Sequence, residues 1–167
     1  LSSTQLNALS LKQMQSVELQ DIAALTTGQI GALNVTDIAE LTSAQVGALD
    51  TQQVAALSSA QVSALSVAQL LALSTQQIRA ISTQGIAALS GAQISKLRND
   101  QIAVLTAGND AQLGSTNPQG PDQVGALSST QMQSLRADQV AALTSQQMRS
   151  LSSTQLNALS LKQMQSV

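Results

Sequence analysis

An eight-residue period runs through nearly the whole chain and limits what it can fold into. From residue 42 the sequence reads TSAQVGAL, DTQQVAAL, SSAQVSAL, SVAQLLAL, STQQIRAI, STQGIAAL and SGAQISKL, an octad of the form Ser/Thr-x-x-Gln-Val/Ile-x-Ala-Leu. A fixed short period is typical of a solenoid, in which each unit packs only against its neighbours. The sequence therefore predicts a repetitive architecture and no enzyme.

One interruption divides the array. The apolar residue that follows Gln moves from Ile102 to Leu113 and then to Val124, two steps of eleven residues instead of eight. Gly, Asn, Asp and both prolines are concentrated there, which predicts an exposed loop or a distorted repeat. We expect an octapeptide block at 1–105, an irregular insertion with one distorted repeat at 106–123, and a second block at 124–167, all in a single continuous solenoid.

A second repetition lies above the octad. Residues 1–17, LSSTQLNALSLKQMQSV, recur unchanged as residues 151–167. Octads elsewhere differ freely at their variable positions, so seventeen identical residues indicate that a super-unit of 150 residues is duplicated. We favour a native tandem array; a sequence assembled to span one super-unit stays open as the alternative.

The octad favours short helices over a long helix or strands. Eight residues at about 100° each overshoot two turns by about 80°, so one uninterrupted helix would bury no constant face. A half-buried strand has an apolar residue at every second position, whereas the apolar residues here are separated by steps of three and five. The residues between them are mostly good helix formers. We predict an all-α solenoid of capped helices of about two turns, one per octad, with a β-solenoid as the alternative.

The Ser or Thr and the Gln of each octad are predicted to form a capping box. The side chain at the N-cap accepts from the backbone N–H three residues on, and the Gln side chain accepts from the N-cap N–H. Glu18, Arg98 and Arg136 depart from this pattern. The predicted structural capping pairs are Thr42 and Gln45, Asp50 and Gln53, Ser58 and Gln61, Ser66 and Gln69, and Ser74 and Gln77.

Two apolar residues per octad are predicted to form a thin core. They stand three apart and share one helix face, with Ala beside them allowing close approach. A helix of seven residues is unstable alone, so the helices must stack side by side. The predicted core residues include Val46, Leu49, Val54, Leu57, Val62 and Leu65.

The composition leaves little for catalysis or cofactor binding. The chain has no Cys, His, Trp, Tyr or Phe, so we expect no catalytic residue, no cofactor and no metal-binding residue. Asn109, Asp110, Asn117 and Asp122 could offer oxygen ligands to Ca²⁺, but their spacing fits no known loop. The Gln residues could instead present a row of amides to a glycan or another surface.

The charge of the sequence argues against a nucleic-acid partner, and its hydropathy argues against a membrane span. A net charge of −2 and a pI near 4.7 provide no positive stripe for a nucleic acid. No apolar run approaches the ~18–20 residues that span a bilayer.

The octad resembles the tracts of the form ALTTAQVAAL in very large bacterial secreted or surface proteins that are described as adhesins or haem-utilisation proteins. The resemblance covers 1–105 and 124–167. It implies an extended extracellular spacer or filament; haem binding would need ligands that this chain lacks. We therefore expect a stalk, spacer or fibre-forming segment of a large bacterial cell-surface or extracellular protein, assembled with copies of itself. The alternative is a carbohydrate- or surface-binding adhesive repeat module with a cell-surface or glycan partner.

Overall fold

The computed structural model describes residues 3–106 and 122–159, and in these ranges it contains seventeen short α-helices and no strand. The prediction of an all-α solenoid is confirmed, and the β-solenoid alternative is wrong for this part of the chain. The helices are α1 (Ser3–Leu6), α2 (Leu11–Gln15), α3 (Leu19–Ala23), α4 (Thr27–Ala32), α5 (Val35–Glu40), α6 (Ser43–Gly47), α7 (Thr51–Ala55), α8 (Ser59–Ala64), α9 (Val67–Ala72), α10 (Thr75–Ala80), α11 (Thr83–Ala88), α12 (Gly91–Ile94), α13 (Asn99–Ala103), α14 (Ser129–Ser134), α15 (Ala137–Ala141), α16 (Ser145–Ser150) and α17 (Ser153–Ala158).

The helices are shorter than the two turns predicted, with four to six residues each. The reason is visible between α8 and α9. Leu65 lies outside the helix with φ −61° and ψ 131°, and Ser66 follows with φ −67° and ψ 161°. Two consecutive extended residues turn the chain from one helix to the next, so the octad-final Leu contributes its side chain to the core without extending the helix.

Most of the described helices pack against a helix three octads away. The pairs α5 and α8, α6 and α9, α7 and α10, and α8 and α11 all follow this rule. A turn of the solenoid therefore takes between three and four octads. Helices inside the array lie between an earlier and a later helix, so they do not need to be stable alone.

The core is one continuous cluster along the solenoid axis. The apolar residue after Gln is the most deeply buried, with Val46, Val54 and Val62 at 0% exposure. The octad-final Leu49, Leu57 and Leu65 are also buried. Two aliphatic side chains per octad fill the narrow interior, which explains how the fold is built without aromatic residues.

The insertion takes the place of a single octad in the stack. Between α13 and α14 the described chain contains one turn at residues 123–126, and Val124 is fully buried in the core. Helices α12 and α14 pack together, as do α13 and α15, so the spacing of three units holds if residues 122–127 count as one unit. The distorted repeat predicted around Leu113 lies outside the described residues, but the array advances by one unit here, not two.

A buried glutamine ladder as the candidate functional site

Capping boxes start the helices. At α6 the Thr42 hydroxyl accepts from the Gln45 backbone N–H at 3.2 Å, and Gln45 Oε1 accepts from the Thr42 N–H at 2.8 Å. The other four predicted pairs, Asp50 and Gln53, Ser58 and Gln61, Ser66 and Gln69, and Ser74 and Gln77, have the same two hydrogen bonds. The fixed residues of the octad are thus placed by local helix chemistry.

Three helices begin without a side-chain cap, at the positions where the sequence departs from the pattern. Glu18, Arg98 and Arg136 make no side-chain cap hydrogen bond. A guanidinium has no acceptor, so at both Arg sites only half of the box remains. Gln101 Oε1 still accepts from the Arg98 N–H at 3.1 Å.

The amide nitrogen of the same Gln side chain has a second role that the sequence analysis missed. Gln53 Nε2 donates to the carbonyls of Ile22 at 3.1 Å, Ala23 at 3.2 Å and Leu25 at 2.6 Å. These carbonyls lie 28 to 31 residues earlier, on α3 and the residues that follow it. One side chain therefore starts its own helix and ties it to the end of a helix four octads before.

Among the residues that the structure describes, twelve show this arrangement, and we call them the glutamine ladder. Each sends Nε2 to the carbonyl of an octad-final residue one solenoid turn earlier. The members are Gln45, Gln53, Gln61, Gln69, Gln77, Gln93, Gln101, Gln123, Gln131, Gln139, Gln147 and Gln155.

Eleven of the twelve ladder residues are buried and cannot present their amides to a partner; Gln93 is the exception, with intermediate exposure. Gln45 and Gln53 are 1% exposed, and Gln101 and Gln139 are 0% exposed. The hypothesis of an exposed amide row that contacts glycan or another surface is therefore wrong for these residues. A buried amide is stable only with its hydrogen bonds satisfied, which the ladder achieves at both ends of the side chain.

A signal for this second role is present in the sequence. A capping box accepts Glu as readily as Gln at its third helical position. No octad places Glu there, and Asp stands there only at Asp21 and Asp37, although the cap itself varies among Ser, Thr, Asp, Asn, Glu and Arg. Glu would supply the acceptor for the cap but no donor for the carbonyls, so the avoidance of Glu identifies the cross-turn donor.

The ladder continues through the insertion. Thr106 acts as the cap of a residue 17 positions away, because its N–H donates to Gln123 Oε1 at 2.9 Å. Gln123 Nε2 then donates to the Ile81 carbonyl at 2.6 Å, 42 residues earlier instead of the usual 28. The extra 14 residues are therefore inserted between the cap and the Gln of one octad. Thr106 and Gln123, the predicted edge residues of the insertion, belong to the regular array, while residues 107–121 lie outside the described part.

A polar column runs along the surface beside this point. Arg98 pairs with Asp100 at 3.0 Å and Arg136 pairs with Asp138 at 3.0 Å, in octads three units apart. Arg136 also donates to Asn99 Oδ1 at 3.4 Å, which joins the two pairs. The guanidinium hydrogen bonds hold the pKa of Asp100 and of Asp138 below its usual value.

Asp37 is a buried ionisable residue, and one of its carboxyl oxygens has no hydrogen-bond partner. It occupies the Gln position of α5 and is 5% exposed, and the oxygen without a partner is Oδ2. Burial raises the pKa of its carboxyl above 3.8, and the Asn34 backbone N–H only partly opposes this effect.

The described residues contain no group of three or more His, Cys, Asp or Glu that could hold a metal ion. Three of the four oxygen ligands considered for Ca²⁺ lie outside them. The fourth, Asp122, accepts from the Gly125 N–H through Oδ1 at 2.6 Å. Nor is any helix in the ranges 3–106 and 122–159 long and apolar enough to cross a membrane.

The fold and the ladder define a helical repeat protein of the solenoid class. Matches to the ALTTAQ repeat cover residues 14–51, 32–67, 47–75, 67–99 and 120–153, which together make up more than half of the chain. The chain therefore belongs to the ALTTAQ repeat family. No curated protein matches it. The family and the fold indicate a structural repeat segment.

Proposed function

We propose that this chain is a spacer: a stalk or fibre-forming segment of a large bacterial cell-surface or extracellular protein, without enzymatic activity. The observation that supports this proposal most is the glutamine ladder. In the described residues, its bonds and the helix contacts join octads that lie about one solenoid turn apart. Such an array can be lengthened by any number of units without a new kind of contact.

Copies of the same chain are the partner that this architecture favours. The stretch 151–159 has the sequence of 1–9, and in the structure Gln155 Nε2 donates to the carbonyls of Val124 at 2.9 Å and Leu127 at 2.9 Å. The first residues of a super-unit can thus be accommodated on the last turn of the preceding one. This supports tandem super-units joined into one rod.

The test is the length of tandem arrays. One, two and three copies of residues 1–150 joined in series should give rods whose length, measured by small-angle X-ray scattering and electron microscopy, grows in proportion to copy number at constant cross-section. Compact particles, or beads on flexible linkers, would contradict the spacer proposal.

A matched control removes residues 107–120. The deletion joins Thr106 to Pro121 and leaves the octad TPDQVGAL, which places proline at the first helical position, where it is favoured. The rod length per super-unit should stay unchanged, because Thr106 and residues 122–127 already form one unit of the stack. Saturable glycan binding that is lost on substitution of exposed variable positions would instead favour the adhesive alternative.

A further inference from the structure

Asp37 breaks the donor pattern of the ladder at a defined place. Gln45, one octad later, donates to the carbonyls of Met14 at 2.8 Å and Val17 at 2.9 Å, which are 31 and 28 residues earlier. The residues 31 and 28 positions before Asp37 are Leu6 and Leu9, so by the same register we expect their carbonyls to lie opposite it. The Asn34 N–H, which begins the same octad, donates to Asn7 Oδ1 at 3.1 Å and so brings these two stretches together. At this step of the array the amide donor is replaced by a carboxyl group.

The charge state of Asp37 decides whether its side chain can form the hydrogen bond to a carbonyl of the earlier turn. An ionised carboxylate only accepts hydrogen bonds, so it cannot bind a carbonyl oxygen. A protonated carboxyl has one O–H donor and can take the place of the amide N–H. Asp37 Oδ2 has no hydrogen-bond partner in the structure, as is expected of an acceptor that has no donor nearby.

We propose that Asp37 is a proton-operated link between the first two solenoid turns that the structure describes. On acidification a solvent proton binds Asp37 Oδ2, and the new O–H donates to the carbonyl of Leu6 or Leu9. At neutral pH the carboxyl group loses that proton to solvent, and the resulting carboxylate leaves the link open. Acid therefore tightens this end of the described array.

No neighbouring charge competes with this role. Helix α5 packs against α2 and α8, and Gln69 of α9 donates to the Leu41 carbonyl that follows α5. Helices α1, α8 and α9 carry no charged residue; α2 carries Lys12 and α5 itself carries Glu40. Neither is a cause of the raised pKa of Asp37, which comes from burial.

The direction of the pH effect follows from that raised pKa. The folded chain holds the proton more tightly than the unfolded chain, whose carboxyl titrates near 3.8. Stability from this group therefore increases as pH falls from neutral through the folded pKa, and the gain is complete below the unfolded value. The pKa values of Asp100 and Asp138 are lowered, so the stability that these two residues contribute to the fold is lost only at more acidic pH.

Hydrogen exchange tests the link at the turn that it holds. In the full chain, amide protection over residues 3–17, corrected for intrinsic rates, should rise about threefold to tenfold between pH 7 and pH 4, the range of one net hydrogen bond. Asp37→Gln should be strongly protected at both pH values. Asp37→Glu, which matches Gln in length but titrates, should keep the pH response.

Asp21 provides the control, because it occupies the same octad position but is exposed. Asp21→Gln should leave the response of the unsubstituted chain intact. The proposal is overturned if Asp37→Gln responds to pH like the unsubstituted chain, if Asp37→Glu loses the response, or if Asp21→Gln abolishes it. A carboxyl ¹³C titration of Asp37 at or below pH 3.8 would overturn it as well.

Discussion

Replacement of Gln53 by Met should destabilise the array strongly, because one side chain satisfies groups on two helices. Met has nearly the same length and removes only the amide. The Asp50 N–H loses an acceptor at 2.7 Å, and the Leu25 carbonyl loses a donor at 2.6 Å. The Ile22 carbonyl is buried and also loses its donor, whereas the Asp50 N–H and the Leu25 carbonyl are part-buried. We therefore take about 1 kcal/mol, the lower end of the range of about 1–3 kcal/mol, for each of the three groups. The gain from burying the Met side chain offsets part of this sum, so we expect a net loss of about 2–3 kcal/mol.

The adjacent residue is a matched control. Gln52 lies in the same helix and is exposed, whereas Gln53 is 1% exposed. Gln52→Met should change the free energy of unfolding by no more than about 0.5 kcal/mol, as is usual for surface substitutions. Urea unfolding followed by circular dichroism measures both variants, provided that the transitions are two-state.

The two halves of the Gln53 amide can also be separated. Gln53→Glu keeps the acceptor for the Asp50 N–H but turns an acceptor toward the Ile22 and Leu25 carbonyls. It should be at least as damaging as Gln53→Met at neutral pH and should recover on acidification. Equal stability of the Gln53→Met and Gln52→Met variants would refute the ladder as a source of stability.

Three further substitutions test other parts of the structure. Gly85→Gln alone should destabilise, because its Cβ would meet Ile81 Cγ2 at 2.8 Å. Ile81→Leu with Gly85→Gln should remove this closest contact and leave the tight contact with Val62 Cγ2 at 3.1 Å. A double-mutant cycle should give a favourable coupling of about 1–3 kcal/mol, and additivity would contradict it. Val54→Asp buries a carboxylate at a position of 0% exposure, so hydrogen exchange should accelerate in α4, α7 and α10 together, whereas an effect confined to α7 would count against coupled packing. Arg136→Gln should return the Asp138 pKa, measured by NMR, toward its usual value, and should remove stability that is present above that value and lost as pH falls below it; an unmoved pKa would exclude Arg136 as the cause.

Local chemistry made much of the fold predictable from the sequence. Thr42 and Gln45 stand at the spacing that a capping box requires, and Val46 and Leu49 at the spacing of one helix face. These rules act within a few residues, so the helix starts and the buried positions follow from them. The helix length was overestimated because the extended backbone of the octad-final Leu serves the chain reversal, which depends on how successive helices pack.

The cross-turn bonds could not be read from the octad alone. The partner of Gln53 lies 28 residues earlier, and that distance is set by the number of octads in a solenoid turn. The same is true at the insertion, where equal steps of eleven residues suggested an extra repeat. Thr106 and Gln123 instead form one cap across the interruption, a pairing that only the three-dimensional register shows.

The most direct test of the account is the neighbourhood of the ladder amides in solution. In a uniformly labelled sample, the Nε2 protons of Gln53 should show nuclear Overhauser contacts to residues 22–26, and those of Gln61 to residues 30–34. They should also exchange slowly with water, in contrast to those of Gln52. Contacts confined to residues within the same octad, with exchange as fast as at Gln52, would show that the short helices are not tied together by the ladder.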